Sequence, residues 1–281
     1  MMGLFWDAIT EPALAAIEPK CIVEIGSHEG ISTRSLMNFC AKHNAVLNVI
    51  DPAPDYDVST WEREYGNRLV FHRGLSLEVL PKLDKFEAIF IDGDHNWYTV
   101  IHELKAIESR SRELAQSFPL TFLHDIGWPY GRRDLYYNPA TIPPECRHPF
   151  ANRGLRPGVA GVVERGFNDH QNNAVTENTP RNGVLTAVED YLKETSEKLR
   201  FIQIPGFYGL GILFPESLPL QNQAFADFLD TWDLPEPVLQ FLQMVETGRV
   251  EYQANANELW MALQQVMAQR QSSMVNPATG R

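Results

Sequence analysis

Phe86-Glu-Ala-Ile-Phe-Ile-Asp-Gly-Asp-His-Asn-Trp-Tyr98 carries an apolar strand straight into carboxylates and an imidazole. A short continuous apolar run bounded by a turn signal reads as a strand covered on both faces, as in a parallel sheet. Two other runs end in the same way. Ile22-Val-Glu-Ile-Gly-Ser-His-Glu-Gly30 lies upstream and Phe122-Leu-His-Asp125 downstream, so three strand ends offer Glu24, His28, Asp92, Asp94, His95, His124 and Asp125. In an open α/β sheet, ligands bind outside the carboxyl ends of strands near the switch in strand order, which would gather these groups in one crevice.

Working outward, short apolar runs alternate with amphipathic stretches from about residue 20 to 125, the pattern of βαβ crossovers. Strands are predicted at Cys21 to Ile25, Val46 to Ile50, Leu69 to Phe71, Phe86 to Ile91 and Leu120 to Leu123. The clearest helix sets Trp97, Val100, Ile101, Leu104 and Ile107 on one face, with Asp94 or Asn96 as its cap. From Gly127 to about Asn182 the pattern fails in favour of Gly, Pro, Asn, Arg and aromatics, which predicts an ordered lid over the strand ends. Asn182 then reads as the cap of a helix through Val184, Leu185, Val188, Tyr191 and Leu192. Leu199 to Ile204 and Leu210 to Phe214 flank Pro205-Gly-Phe-Tyr-Gly209, a hairpin signal that adds an antiparallel strand. The fold class is therefore a doubly wound, mostly parallel, Rossmann-like sheet with an antiparallel last strand. The domain reading is 1–215 for this unit with the lid at about 127–182, a helical extension over 216–270 and a flexible tail over 271–281.

A chain of 281 residues, 44% of them hydrophobic, can bury a large core. Its net charge of −12 argues against nucleic acid or an anionic membrane as partner, because phosphate binding depends on Lys and Arg. Cys21, Cys40 and Cys146 show no disulfide or metal-ligand spacing, no charged start with an apolar run precedes Trp6, and no stretch is long enough to span a bilayer. A cytoplasmic protein is expected. The lid differs in charge, with Arg132, Arg133, Arg147, Arg153 and Arg156 against Asp134 and Glu145 between Gly131 and Arg156. Guanidinium forks suit an anionic substrate group, and Trp128, Tyr130, Tyr136 and Tyr137 suit stacking on a ring or sugar face. Pairing of those arginines with the protein's own acids is the plainer alternative. The apolar stripe Phe225, Phe228, Leu229 and Trp232 predicts either packing on the sheet or a homo-oligomer contact through the C-terminal helices.

Val23 to Thr33 reads as strand, glycine turn and helix start, with Gly26 and Gly30 letting a ligand approach the backbone. Ser27, His28 and Glu29 fill the turn where a dinucleotide fingerprint would need glycine, and the acids Glu24 and Glu29 disfavour a pyrophosphate. A cationic or zwitterionic ligand suits the turn. Asp51, at the next strand end, is placed to accept both hydroxyls of a ribose, and Ser76 is placed either at an adenine edge or as a helix cap. Asp92, His124 and Asp125 supply two carboxylates and an imidazole, a donor set for a divalent cation completed by water and substrate oxygens. A helix cap for Asp92 or Asp94, and a core hydrogen bond for His124, are the plain alternatives.

These residues together, the glycine turn after Val-Glu-Ile, Asp51, Ile91-Asp-Gly-Asp-His-Asn-Trp-Tyr98 and Leu123-His-Asp125, resemble class I S-adenosylmethionine-dependent methyltransferases. The branch they resemble includes macrocin-type O-methyltransferases and cephalosporin-hydroxylase-like proteins, over roughly residues 15 to 125. The resemblance implies S-adenosyl-L-methionine held by Glu24, Gly26, Ser27, His28, Gly30, Asp51, Ser76 and Asp92. It also implies a divalent cation, magnesium or manganese, on Asp92 and Asp125, beside which His124 is placed as third ligand or as an orienting neighbour. His95, His124 and Asp125 are then the catalytic candidates, and His95 is the general base if no metal is present. The expected activity is methyl transfer to an oxygen of a small polar acceptor, one bearing an anionic group or a sugar. Metal-dependent oxidation of the hydroxylase type and non-catalytic binding of an adenosyl ligand stay open beside it.

Overall fold

The computed structural model describes residues 2–275. The chain enters through α1 (Glu11–Ile17), then alternates β1 (Cys21–Ile25), α2 (Ile31–His43), β2 (Val46–Ile50), α3 (Val58–Tyr65), β3 (Leu69–His72), α4 (Ser76–Val79), β4 (Ala88–Ile91), α5 (Trp97–Glu113) and β5 (Leu120–His124). The lid region carries β6 (Leu135–Tyr136), β7 (Phe150–Asn152) and β8 (Asn172–Ala174), and the chain closes with α6 (Val184–Glu194), β9 (Leu199–Ile204), β10 (Leu210–Pro215), α7 (Leu218–Gln221), α8 (Gln223–Trp232) and α9 (Glu236–Val275). The main sheet has the order β3-β2-β1-β4-β5-β10-β9. Its first five strands pair in parallel, and β10 runs antiparallel to both β5 and β9. Strand order reverses between β1 and β4, which places the crevice where the acidic strand ends lie.

Alternation along each strand builds two cores. Ile22, Leu47, Val49, Phe90, Phe122 and Ile212 point to the side covered by α1, α2 and α8. Val23, Ile25, Ile89, Ile91, Leu123 and Leu213 point to the side covered by α5 and α6. Phe225, Phe228 and Leu229 of α8 are buried in the first of these, with Phe225 edge-on to Phe214, so the stripe packs on the sheet. Trp232 is partly buried against the same core.

Several local expectations shift. The fourth strand begins at Ala88 rather than Phe86, while the third and fifth each gain one residue, so His124 is part of β5. Asn96 caps α5 by accepting from Thr99 N at 2.8 Å, which releases both Asp92 and Asp94 from that role. Asn182 is not the cap of α6. Gly183 holds that position, and Asn182 instead accepts from Asp134 N and donates to Thr176 and Thr179. The helix expected from Glu258 begins at Glu236 and runs through Val275, so the expected tail over 271–281 starts inside a helix, and 276–281 lie outside the described residues. No described helix is long and apolar enough to cross a membrane.

The lid is a small folded unit rather than an irregular loop. β6, β8 and β7 form an antiparallel three-stranded sheet. Asp134 is fully buried and accepts from Trp97 N and Gly183 N, each at 2.7 Å, and from the Tyr136 hydroxyl at 2.8 Å. One carboxylate thus joins the N-termini of α5 and α6, where free N–H groups favour negative charge. Arg133, 1% exposed, donates to the carbonyls of Ala160 and Ala174 and pairs with Glu177.

Candidate functional site

A cavity of about 700 Å³ opens at the carboxyl ends of β1, β2, β4 and β5. It is lined by Gly26, His28, Asp51, Ser76, Asp92, His95, His124 and Asp125, eight of the eleven residues singled out from the sequence. Glu24, Ser27 and Gly30 are not in its wall. Glu24 alternates with Val23 and Ile25 along β1 and is buried on the other face of the sheet, where burial pushes its carboxyl up to about 8. Gly30 sits beneath the Trp61 and Tyr56 rings, where a Cβ would meet Trp61 at 2.6 Å.

The end of the cavity nearest β2 is made of backbone. Gly26 has φ +84°, and a Cβ there would approach the Asp92 carbonyl oxygen to 2.5 Å, so only glycine lets the β1 and β4 turns touch. His28 is also left-handed, at φ +46°. Asp51 Oδ2 accepts from Ser27 N at 2.8 Å, Ser27 Oγ at 2.9 Å and His28 N at 3.0 Å, while Oδ1 accepts from Ala53 N at 2.8 Å. The acid at the second strand end therefore holds the glycine turn in shape, with capacity left on Oδ1 for a ligand. Ser76 is the first residue of α4 and makes no cap.

The other end is a charged cluster. His124 Nδ1 lies 3.1 Å from Asp92 Oδ1 and 2.9 Å from Asp125 Oδ2, and Nε2 lies 3.0 Å from the carbonyl of Phe207. Because that carbonyl can only accept, Nε2 carries a proton and Nδ1 faces the two carboxylates. Burial alone would lower the imidazole pKa, but the charges of Asp92 and Asp125 win and hold it at about 10. Asp92 and Asp125 are buried as well, and the facing imidazole charge nonetheless keeps both below the usual carboxylate range. His95 Nε2 lies 3.5 Å from Asp92 Oδ1 and 3.1 Å from Asp125 Oδ2, without hydrogen-bond geometry to either. Against its own burial, the charge of Asp125 raises its pKa. Its ring stacks on Tyr130 at 5.7 Å, and its Nδ1 is 3.3 Å from the Tyr137 hydroxyl. Asp125 itself holds φ +58°, a conformation that a residue with a side chain adopts at a cost and that clusters at functional sites.

One ligand atom from each of Asp92, His124 and Asp125 falls within 4.8 Å of the others. Two carboxylate oxygens and an imidazole nitrogen whose far N–H is fixed by a carbonyl form a donor set of the kind metals use. Two carboxylates facing the same point also match the charge of a divalent cation.

Tyr130, Tyr137, Phe167, Asn168 and Gln171 of the lid and Tyr208 of the β9–β10 turn complete the wall over this cluster. Trp128 packs on Phe167, and Tyr136 is buried against Asp134, so neither reaches the cavity. None of the lid arginines lines it. Arg132 forks onto Glu189, Arg147 donates to the Pro139 carbonyl and Arg156 pairs with Glu258. Sequence reasoning missed Glu103 of α5, Tyr208, Asn168 and Gln171. An acid amid the apolar positions of α5 was the one readable signal for Glu103; the others arrive through contacts distant in sequence.

Over residues 23–118 the sequence matches a family described as a methyltransferase domain. No curated protein matches the chain. Among solved structures, it is similar to an S-adenosylhomocysteine-bound methyltransferase of Podospora anserina, with 17% identity, TM-score 0.43 and coverage of 73% of this chain and 76% of that one. The 1,6-didemethyltoxoflavin-N1-methyltransferase of Burkholderia thailandensis gives 12% identity, TM-score 0.42 and coverage of 76% and 80%. Human N-acetylserotonin methyltransferase gives 14% identity, TM-score 0.38 and coverage of 76% and 53%.

Proposed function

We propose that this chain is a class I S-adenosylmethionine-dependent methyltransferase that transfers the methyl to an oxygen of a small, neutral, ring-bearing acceptor with the help of a divalent cation. The methyltransferase-domain match over residues 23–118 and the strand order support this reading. The observation that carries this reading is the convergence of Asp92, His124 and Asp125 in the same cavity as the glycine turn and Asp51.

In this reading Gly26, His28 and Asp51 would hold the adenosyl ligand, with Asp51 Oδ1 keeping capacity to accept from a ribose hydroxyl. Bound there, the ligand would supply the methyl group as a sulfonium. Asp92, Asp125 and His124 Nδ1 would hold the cation, which opposes the negative charge that develops on an acceptor oxygen. His95 Nε2, buried beside Asp125, takes the acceptor hydroxyl proton when the ring is neutral. The Asp125 and Asp92 charges raise the His95 pKa against its burial, so a cation that neutralised them would favour the neutral, proton-accepting ring. The remaining task is to align the hydroxyl with the methyl, and Tyr130, Tyr137, Phe167 and Tyr208 supply stacking surfaces for that. With the guanidinium groups committed elsewhere, the wall suits a hydroxylated ring rather than an anion.

Titration calorimetry with S-adenosylhomocysteine, followed by manganese, tests the reading. Both should bind, and Asp92→Asn or Asp125→Asn should remove the manganese heat alone. Absence of nucleoside binding, or manganese binding unchanged in both variants, would overturn it. An imidazole in the donor set also suits iron. Oxygen consumption with iron and no S-adenosylhomocysteine formed would favour the oxidation reading instead.

A further inference from the structure

Two glutamates on the inward side of α5 are buried to a similar degree and treated in opposite ways. Glu108 accepts from the Arg112 guanidinium, from the Tyr191 hydroxyl at 2.8 Å and from Thr195 Oγ at 2.9 Å. Glu103, 0% exposed, makes no well-aligned hydrogen bond at either carboxyl oxygen, and the Ser76 hydroxyl is the one donor near it. Buried polar atoms are nearly always satisfied, so an acid left without a well-aligned donor beside one given three calls for a reason. Glu103 lines the cavity, at the end formed by Ile50, Asp51, Ala53, Leu75 and Ser76. That end is apolar on its flanks, with Leu75, Ile50 and Ala53, and polar at two points, the Ser76 hydroxyl and the Glu103 carboxyl. Flat apolar walls with a hydrogen-bond acceptor at the edge suit an aromatic heterocycle carrying an exocyclic amine.

We propose that Glu103 reads the 6-amino group of the adenine ring, accepting a hydrogen bond from it and so setting the specificity of the cofactor pocket. The inference rests on the adenosyl ligand proposed above and goes beyond it by assigning the nucleobase contact to a residue of α5, outside the strand-end turns. Burial pushes the carboxyl up to about 8, with Asp94 acting in the same direction and the Ser76 hydroxyl against it. Without a ligand the group is therefore largely protonated at neutral pH, and it keeps a carbonyl oxygen free to accept in either state. A buried acid without a well-aligned donor costs stability, which an arriving donor recovers. A purine lacking the amine would leave Glu103 as unpaired as in the free protein.

The test pairs removal of the side chain with removal of the ligand atom. Wild type, Glu103→Leu and Glu103→Gln are titrated with S-adenosylhomocysteine and with its purine analogue lacking the 6-amino group. Wild type should prefer the adenine form by about 10-fold, the effect of one well-made buried hydrogen bond. Glu103→Leu should bring the two ligands within about twofold while raising the melting temperature of the free protein, since an apolar side chain replaces a lone buried acid. Glu103→Gln keeps an acceptor oxygen and should retain most of the preference. Equal affinities of wild type for both ligands, or an unchanged ratio in Glu103→Leu, would overturn the assignment and leave the cofactor reading standing. Failure of wild type to bind S-adenosylhomocysteine at all would overturn both.

Discussion

The two ends of the cavity are built by opposite means. Nearest β2, backbone at adjoining strand ends does the work: the glycine turn, Asp51 and the α4 start are strand-to-helix junctions, and Asp51 accepts from Ser27 N and His28 N of the neighbouring β1 turn and from Ala53 N two residues on. Nearest β5, a carboxylate from β4's turn, an imidazole inside β5, a backbone carbonyl from the β9–β10 turn and rings from the lid meet only through the tertiary fold. The first end draws on adjoining strand ends and α5 and suits an invariant ligand. The second depends on several separately anchored segments, which lets acceptor choice vary while the scaffold stays fixed.

The strongest way to break this contrast is to release the lid. Arg133→Ala removes a buried guanidinium from two backbone carbonyls and Glu177, and should cost about 3–5 kcal/mol, read as a lower urea midpoint. Hydrogen exchange should rise in β6 to β8 far more than at the glycine turn, and equal rises at both would deny that the ends are separately anchored.

Asp125→Ala comes next. Turnover should fall by about 10²–10³, with S-adenosylhomocysteine affinity held within a few tenths of a kcal/mol. Parallel losses in turnover and binding would merge the two ends into one site. The mirror experiment, Asp51→Ala, should weaken S-adenosylhomocysteine by roughly 1.5–3 kcal/mol in calorimetry and leave manganese binding alone.

The smallest effect is a pH slope. In the chelator-treated protein, burial lowers the His124 pKa, but Asp92 and Asp125 raise it from an ordinary 6.5 to about 10. Its contribution to stability is therefore complete below the unfolded value and is lost as pH rises through the folded one. Glu24 and Glu103, both raised to about 8 by burial, also withdraw stability with rising pH, but only up to that value. Between pH 8 and 9, below the range in which Cys21 and Cys40, raised by burial, add their own decline, stability should fall by about 1 kcal/mol per pH unit. The fall should largely disappear in His124→Asn; a flat wild-type profile there would remove the imidazolium from the cluster.

Strands β1, β2 and β9 begin and end where hydrophobic runs and turn residues predict, because those signals act within a few residues. The convergence of Gly26, His28, Asp51, Ser76, Asp92, His95, His124 and Asp125 was legible for a related reason: strand order in a doubly wound sheet is restricted enough that strand ends predict neighbours. The start of α9 at Glu236 and the displacement of Asn182 from its expected capping position were not legible. A cap is chosen by which donors lie near, and Asp134 N reaches Asn182 from 48 residues away.

What the amino-acid order by itself determined is the parallel sheet and the acids waiting at the strand ends, since periodicity and turn chemistry are local and apply whatever the rest of the chain does. Only the tertiary structure decided that the lid arginines pin the lid, that Phe207 fixes the His124 tautomer, and that Glu103 stands in the cavity wall without a well-aligned donor. Each of those facts concerns which polar group satisfies which other. That choice is made between segments far apart in sequence, by the cost of burying a charge or donor without a partner.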